Sequence, residues 1–448
     1  MSKFNIIYNF LKLHMNEKKS QKSINKLQNK KFRKLLRYTF KHSSYYRNLF
    51  EKNGITAKDL KTIRLSQIPT TNKNEFMENF DSLVTVRDIT QEKLRSFDEN
   101  SAVSRESMNG FHVIHSSGST GTPKYFLYDD KAWNIMLAGI IRGALWRMTL
   151  REIFNLLIRK PRIAYIAAID GRYGGAMAVG DGIDGLNAKQ IYLDIKQPIN
   201  EWIEQIKVFC PNIIIGYPSA VKILAELVEH KKINVNAVRV ITCGEPLSIP
   251  MRKYLEKTFS AEILNFYGAS ESLALGAEGS GDNGMVLFDD MNIIETINDK
   301  MYLTCLYNFA QPIIRYEISD RLILKSGETF TMAVGLIGRN EDVMWFEREN
   351  GQLDFIHPLS VEGFCIDGLI DYRFVQNDRY SFTLEFEKTD DSDENAICSG
   401  LEKYLTDILS EKKLDNISYE LLRVTKISAD FHSGKKKLIV GFRERTAV

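Results

Sequence analysis

The segment His115–Lys124 has the composition of a loop that binds phosphate. Residues 116–122 are all Gly, Ser or Thr, and Lys124 follows them after a single Pro. Because Gly118 and Gly121 permit positive φ, several backbone N–H groups could converge on one point. Lys124 adds a fixed positive charge, so the segment suits a polyphosphate, which offers many acceptor oxygens and several negative charges. Further donors are the hydroxyls of Ser116, Ser117, Ser119, Thr120 and Thr122.

Strand-like runs border this segment on both sides. The apolar run Phe111–Ile114 precedes it, and the aromatic run Tyr125–Tyr128 follows it. This order predicts a strand, a loop and a second strand, with the loop held at both ends. The common P-loop is excluded, because that motif needs Gly-Lys followed by Ser or Thr and then a helix. The alternative interpretation is a polar surface hairpin.

A second segment with chemical potential is Tyr267–Glu271, which follows a predicted strand at 261–266. Gly268 lets the backbone turn sharply after the strand. Tyr267 offers a flat ring on which an adenine could stack. Glu271 offers a hard oxygen ligand that suits Mg²⁺ bridging ATP phosphates. Taken alone, such a segment is also a common turn.

The region between these two segments alternates helices with strands. Helices are predicted at 200–209, from about 218 to 231, and at 249–258, and strands at 212–215, 238–242 and 261–266. This order implies a doubly wound parallel sheet, in which ligands bind beyond the carboxyl ends of strands. Four residues fall at such ends: Tyr217, Gly244, Glu245 and Tyr267.

The loop and the second segment together resemble the adenylate-forming superfamily, which includes the acyl-CoA synthetases, and within it the phenylacetate–CoA ligase-like branch. Ser116–Lys124 is similar to the signature loop that holds the β- and γ-phosphates of ATP in that family. The resemblance implies that Tyr267 and the following backbone of Gly268, Ala269 and Ser270 contact the adenine. It further implies that Glu271 helps to hold Mg²⁺, and that Gly244 and Glu245 belong to the ATP site.

Two later motifs fit the same resemblance. Arg315–Asp320 is similar to the family's Arg-Tyr-x-x-Gly-Asp, with Ser319 in place of Gly. This similarity implies that Asp320 binds the ribose hydroxyls. Residues 338–342 resemble Gly-Arg-x-Asp-Asp, which marks the start of a mobile C-terminal domain. Arg339 is thereby expected to reach the ribose or a phosphate, and Glu341 to lie at the hinge.

The resemblance also implies an acid pocket and a catalytic lysine. The pocket residues expected are Tyr173, Gly174, Gly175, Tyr217 and Cys243. The family places its catalytic Lys near the C-terminus, where this chain has Ser-Gly followed by Lys435, Lys436 and Lys437. We choose Lys435, with its two neighbours as alternatives. It would bridge the carboxylate and the α-phosphate when the C-terminal domain closes.

The expected fold class is α/β with two domains. Residues 1–338 would form a large domain that binds ATP and the acid, with doubly wound parallel sheets plus a small β-barrel from the strand-rich region 285–332. Residues 339–448 would form a small mobile α+β domain, with its hinge near 339–342. Its tail is predicted as strand, strand, helix, strand, strand.

Composition narrows the classes of function. The 448 residues are 44% hydrophobic and 26% charged with a net charge of +3, which gives no indication of nucleic-acid binding. The five cysteines are scattered, which argues against a zinc site or a disulfide framework and fits the cytoplasm. No signal peptide and no membrane span are predicted. The basic helix predicted within 17–41 could bind a membrane surface or nucleic acid, although a solvated helix on the large domain is favoured.

The resemblance implies ATP-dependent activation of a carboxylic acid to an acyl-adenylate, release of pyrophosphate, and transfer of the acyl group to CoA. An aryl acid similar to phenylacetate is favoured. Two other interpretations stay open. In one, the acyl group passes to an amine, a carrier protein or a protein thiol. In the other, the fold is a non-catalytic scaffold. Expected cofactors are ATP, Mg²⁺ and CoA, and a homodimer is a further expectation.

Overall fold

The computed structural model describes most of the chain. The described residues are 3–100, 107–115, 124–167, 188–194, 199–298, 300–339, 344–351, 353–356, 361, 364, 366–428 and 437–441.

Twelve α-helices are described. They are α1 Lys3–Asn16, α2 Gln21–His42, α3 Ser44–Lys52, α4 Lys73–Glu78, α5 Phe80–Leu83, α6 Gln91–Asn100, α7 Asp130–Ala144, α8 Leu150–Ile158, α9 Ile199–Phe209, α10 Pro218–Glu229, α11 Ile249–Phe259 and α12 Glu394–Glu411.

Twenty strands are described. In the first half of the chain they are β1 Phe111–His115, β2 Tyr125–Asp129, β3 Arg162–Ala167, β4 Lys189–Asp194, β5 Ile213–Gly216 and β6 Arg239–Cys243. They continue with β7 Ile263–Ala269, β8 Ser272–Glu278, β9 Met285–Leu287, β10 Asn292–Ile297, β11 Lys300–Cys305, β12 Tyr316–Ile318, β13 Asp320–Lys325 and β14 Met332–Arg339. The last six are β15 Met344–Glu347, β16 Leu353–Ile356, β17 Leu369–Gln376, β18 Ser381–Lys388, β19 Ser418–Arg423 and β20 Ile439–Val440.

The chain forms two compact units, and each is described by itself. One comprises Met1–Lys196, Leu264–Ile318 and Leu322–Val334. Within it, β1 and β2 are antiparallel and β3 and β4 are parallel. Strands β7, β8 and β9 form an antiparallel series, and β10, β11 and β12 form a three-stranded antiparallel sheet. The antiparallel pairing of β1 with β2 means that the segment between them joins two strand ends that lie side by side.

The second unit comprises Gln197–Ile263, Ser319–Arg321 and Gly335–Val448. Strands β5 and β6 pair in parallel and are joined through α10, which confirms the predicted α/β character of this region. Toward the C-terminus, the order β17, β18, α12, β19, β20 matches the predicted order. Those strands form a four-stranded sheet, and apolar residues between Met344 and Ile439 form one buried cluster around it.

One predicted helix is wrong in its extent. Apolar residues recur at helical spacing between Trp133 and Met148, which predicts a single helix over 131–158. In the structure, α7 ends at Ala144 and α8 begins at Leu150. Arg147 has a φ of 65°, in the left-handed region that a continuous helix excludes. Thr149 then caps α8, since its hydroxyl accepts from the Glu152 N–H while the Glu152 carboxylate accepts from the Thr149 N–H.

Candidate active site

A buried polar cluster joins Lys124 to the second motif. The Lys124 Nζ donates to Glu271 Oε1 at 2.8 Å and to the Tyr316 hydroxyl at 3.1 Å. The exposed side-chain fraction is 16% for Lys124 and 8% for Glu271, so solvent screens this pair little. Alternate residues of a strand share one face, which places Lys124 on the same side of β2 as Phe126, whose ring centroid lies 5.8 Å from Nζ.

Glu271 lies in a tight turn whose conformation depends on Gly268 and Tyr128. Strands β7 and β8 are antiparallel, and Ser270 and Glu271 are the two residues that connect them. The register shifts at Gly268, where a Cβ would lie 2.5 Å from the Leu273 carbonyl oxygen, so this position requires glycine. The hydroxyl of Tyr128 on β2 donates to the carbonyl oxygens of Ser270 and Glu271, at 3.1 and 3.2 Å. The turn is thereby fixed against β2.

Tyr316 is held by the backbone on both sides. The Thr71 N–H donates to the Arg315 carbonyl at 2.9 Å, and the Glu317 N–H donates to the Thr71 carbonyl at 2.8 Å. Arg315 has a φ of 46°, a strained conformation for a non-glycine residue. Its guanidinium compensates by binding the Glu295 carboxylate at 2.9 and 3.2 Å. Strand β12 begins directly after Arg315, at Tyr316.

The electrostatics of the cluster fix its protonation state. Burial lowers the pKa of the Lys124 ammonium, but the Glu271 carboxylate and the Tyr316 hydroxyl raise it above its ordinary value. Burial raises the pKa of Tyr316 to about 12, and the Glu271 carboxylate adds to that shift while Lys124 opposes it. Lys124 is therefore a cation at neutral pH, and Tyr316 is a neutral phenol.

The donor set near Glu271 fits a magnesium ion that arrives with a nucleotide. No group of three or more His, Cys, Asp or Glu side chains with metal-binding geometry occurs among the residues that the structure describes. Mg²⁺ is commonly held by one or two carboxylates together with phosphate oxygens and water, rather than by a protein cage. Glu271 alone is consistent with that arrangement.

A second group of predicted site residues lies in the other compact unit. Gly244 has a φ of 79°, and a Cβ there would lie 3.0 Å from the Tyr217 ring, so glycine allows the two segments to approach. The Glu245 carboxylate accepts from the backbone N–H and the hydroxyl of Ser219, at 3.0 and 2.9 Å. It therefore binds the first turn of α10. Cys243, at the end of β6, is half-buried.

Three further predicted residues are placed individually. The Tyr267 ring is buried, and its hydroxyl donates to the Met301 sulfur at 3.4 Å. Asp320 begins β13 and is half-buried, and Arg339 is the last residue of β14. The remaining predicted site residues, within 116–123, 173–175, 341 and 435, lie outside the described residues, and so does the alternative Lys436.

Sequence reasoning missed three residues that build the cluster: Tyr316, Arg315 and Tyr128. Tyr316 and Arg315 were inside a quoted motif, but only its Asp was given a role. Tyr128 lies four residues after Lys124, and alternate residues of a strand share one face. This alternation was the signal that could have placed Tyr128 on the same side of β2 as Lys124. None of these residues carries a local signature for a buried polar contact.

Comparison with known proteins finds distant relatives that align with most of this chain. No family model matches the chain. Protein CapK of Staphylococcus aureus is 21% identical over 406 residues, which cover 84% of this chain and 81% of that protein. Phenylacetate-coenzyme A ligase of Escherichia coli K12 is 24% identical over 358 residues, covering 74% of this chain and 75% of the ligase. At 21–24% identity, the chain is similar to phenylacetate-coenzyme A ligases over about three quarters of its length.

A solved structure shares the fold of this chain. 2-Hydroxyisobutyryl-CoA ligase in complex with 2-HIB-AMP aligns with a TM-score of 0.68 at 17% identity, over 95% of this chain and 90% of that one. At this identity the likeness establishes the shared α/β fold. Separately, no helix in the described part of the chain has the length and apolar character that a bilayer span requires.

Proposed function

We propose that the protein activates a carboxylic acid with ATP, releases pyrophosphate, and transfers the acyl group from the acyl-adenylate to CoA. One observation carries this proposal. Residues 147 positions apart in sequence, Lys124 at the end of the Gly/Ser/Thr segment and Glu271 at the end of the Tyr-Gly motif, meet in one buried ion pair. A phosphate-binding cation and a candidate magnesium ligand thus lie within one cluster.

Adenylation needs positioned positive charge more than a protein nucleophile. A carboxylate oxygen attacks the α-phosphate, and negative charge accumulates on the phosphoryl oxygens and the leaving pyrophosphate. In the free protein, Lys124 and Glu271 neutralise each other at 2.8 Å. When MgATP binds as substrate, Lys124 turns to the phosphates and Glu271 to the magnesium ion. The protein thereby keeps both groups oriented without leaving either charge buried and unpaired.

Tyr316 and Tyr128 would act as positioning residues. Tyr316 accepts a hydrogen bond from Lys124 and keeps the ammonium near the turn at Ser270–Glu271. Tyr128 donates to both carbonyls of that turn. Both phenols are neutral at physiological pH, because burial raises the pKa of each. They therefore orient the charged pair without competing for the substrate's negative charge.

The acid and the catalytic lysine are the less defined parts of the proposal. We assign the acid pocket to the region of Tyr217, Gly244 and Cys243, with an aryl acid as the substrate. We assign the bridge between carboxylate and α-phosphate to Lys435 of a mobile domain 339–448. Support for that domain is its own apolar cluster, which runs from Met344 to Ile439. Lys435→Ala should lower adenylation about 10²-fold while sparing thioester formation from preformed acyl-AMP, and equal loss in both steps would contradict this role.

The experiment measures AMP and pyrophosphate release from MgATP with a panel of aryl, fatty and amino acids, with and without CoA. Pyrophosphate release that depends on one acid class, with multiple turnovers of AMP only when CoA is present, is the expected result. Turnover with an amine or a carrier-protein thiol but not with CoA would show that the acyl acceptor is that amine or thiol instead of CoA. Absence of ATP binding by calorimetry would overturn the proposed function as a whole.

A further inference from the structure

Helix α1 is apolar on two opposite faces. Its inner face packs Ile6, Phe10 and Leu13 into the protein, where each is less than 10% exposed. The outer face carries a second apolar row. Its members are Phe4 at 75% exposure, Ile7 at 48%, Tyr8 at 58%, Leu11 at 41% and Met15 at 61%. At about 100° per residue, these five side chains fall within an arc of about 100°. We call this row the α1 stripe.

The same region holds most of the chain's excess positive charge. Residues 3–42 contain twelve Lys or Arg and a single acid, Glu17, whereas the rest of the chain has 48 basic and 56 acidic residues. On α2 the exposed cations fall on one face, within an arc of about 120°. This α2 stripe consists of Lys22, Lys26, Lys30, Lys34, Arg37 and Lys41.

We propose that α1 and α2 dock this protein on the surface of an anionic lipid bilayer. An interfacial helix buries large apolar side chains at the headgroup boundary while neighbouring Lys and Arg attract anionic lipids. The α1 stripe supplies the apolar anchors, and the α2 stripe, which begins six residues after α1 ends, supplies the charge. The α1 helix would lie in the plane of the interface, in agreement with its 14 residues being too few to span a bilayer.

Charge decides between a membrane and two other occupants. A second copy of the chain would bring two basic surfaces together around the apolar contact, and like charges across an interface cost free energy. A nucleic acid would match the cations, but its charged backbone would not bind a row of five exposed apolar side chains at helical spacing. An anionic bilayer matches both the charge and the apolar row.

Helix α8 also combines a row of exposed apolar side chains with neighbouring cations. Its outer face exposes Leu150 at 53%, Phe154 at 63%, Leu157 at 39% and Ile158 at 62%. The exposed cations Arg151, Arg159 and Lys160 accompany this row.

The end of α7, which precedes α8, lies close to the end of α1, because the Arg142 guanidinium donates to the Leu13 carbonyl at 3.4 Å. Burial raises the pKa of Glu17, just after α1, to about 7, whereas the cations Arg142 and Arg147 lower it. Arg147, whose charge lowers the pKa of Glu17, precedes α8 by three residues. Two apolar rows with basic surroundings in one compact unit give the surface more than one anchor.

Flotation of the full-length protein with lipid vesicles tests the proposal. The protein should float with phosphatidylglycerol-containing vesicles, stay behind with pure phosphatidylcholine, and detach as salt is raised. The triple variant Ile7→Ser, Tyr8→Ser, Leu11→Ser should lose on the order of 100-fold in partitioning. Lys22→Gln, Lys26→Gln and Lys30→Gln together should lose a similar factor, about fivefold for each lysine.

Val208→Ser is the matched control, because Val208 is 86% exposed on α9 and belongs to neither row. It should partition like the wild type, and all variants should keep the thermal unfolding midpoint of the wild type. Three results would overturn the proposal. They are no flotation of the wild type, flotation that ignores both triple variants, and concentration-dependent self-association or duplex RNA binding that the triple variants abolish while vesicles stay unbound.

Discussion

Two buried ion pairs in the same compact unit differ in their number of hydrogen bonds and in the exposure of their side chains. Arg142 and Asp290 form two hydrogen bonds, at 2.9 and 3.0 Å, and neither side chain is exposed at all. The Asn16 amide donates to the same carboxylate at 2.7 Å. Lys124 and Glu271 form one hydrogen bond at 2.8 Å, and both side chains keep some exposure.

The difference separates a structural pair from one that can exchange partners. Both oxygens of Asp290 accept from Arg142, whose guanidinium also lies 4.0 Å from the Phe288 ring centroid. Burial raises the pKa of Asp290, but Arg142, Lys31 and Asn16 together outweigh it, and the net pKa lies below its ordinary value. This pair fastens α7 to the segment after β9 and has no route to a ligand. Lys124 lies directly before β2 and Glu271 at the tip of the β7–β8 hairpin, and because both side chains keep some exposure we expect that a ligand can replace either partner.

The largest expected effect is on stability. Asp290→Ala leaves the Arg142 charge buried without its partner, so the free energy of unfolding should fall by about 3–5 kcal/mol. Urea unfolding followed by fluorescence measures this change. Glu204→Ala, which removes the exposed pair with Lys207, is the control and should cost less than about 1 kcal/mol. A loss no larger than that of the control would show that Asp290 does not hold the fold.

The next effect is on chemistry. Lys124→Ala should lower acid-dependent ATP–pyrophosphate exchange about 10²- to 10³-fold, because a cation aimed at the phosphates is removed. Its unfolding free energy should fall less than that of Asp290→Ala. Lys131→Ala, an exposed lysine on α7, is the matched control and should exchange like the wild type. An equal stability loss in Lys124→Ala and Asp290→Ala would erase the distinction between the two pairs.

The contrast also defines what sequence reasoning could reach. Lys124 and Glu271 were each predicted from local composition, because Gly, Ser and Thr runs and the Tyr-Gly turn carry local chemistry. Their pairing, across 147 positions, depends on how β2 packs beside the β7–β8 hairpin, and no local pattern encodes that. Arg142 was missed because it lies in a helix read only for its apolar face, 148 positions from Asp290.

Secondary-structure elements were likewise predictable where a local sequence signal marks them. Helices and strands between 199 and 269 were predicted within a few residues, since apolar periodicity and Pro at the first turns of α10 and α11 mark them. The break between α7 and α8 was missed, although Thr149 and Glu152 form a recognisable capping box. Strand β8 was not predicted, because its pairing depends on the hairpin with β7.

A smaller effect should come from Tyr316. Tyr316→Phe removes only the hydroxyl that accepts from Lys124, and a hydrogen bond to a charged group contributes enough that exchange should fall about 10-fold. Because the residue positions Lys124, kcat should fall more than the affinity for ATP. Tyr45→Phe on α3 is the matched control. A loss as large as that of Lys124→Ala would make the hydroxyl itself a contact of the substrate.

A last effect concerns pH and Glu17. Burial raises the pKa of Glu17 from 4.5 to about 7, so the folded state binds a proton that the unfolded state releases between these values. The free energy of unfolding should therefore gain, as pH falls from 7 to 4.5, a contribution on the order of 2 kcal/mol. Glu17→Gln removes this contribution, although Asp289, with a pKa raised by burial to about 6, still acts in the same direction. Identical pH profiles of stability for wild type and variant would contradict the assignment.

The most direct test of the whole account is ATP–pyrophosphate exchange without CoA, measured for wild type, Lys124→Ala and Asp290→Ala and normalised to the folded fraction. The account predicts acid-dependent exchange in the wild type, near-normal exchange per folded molecule in Asp290→Ala, and a loss of about 10²-fold or more in Lys124→Ala. Wild-type exchange that survives in Lys124→Ala would contradict the central claim that the Lys124–Glu271 pair handles the nucleotide.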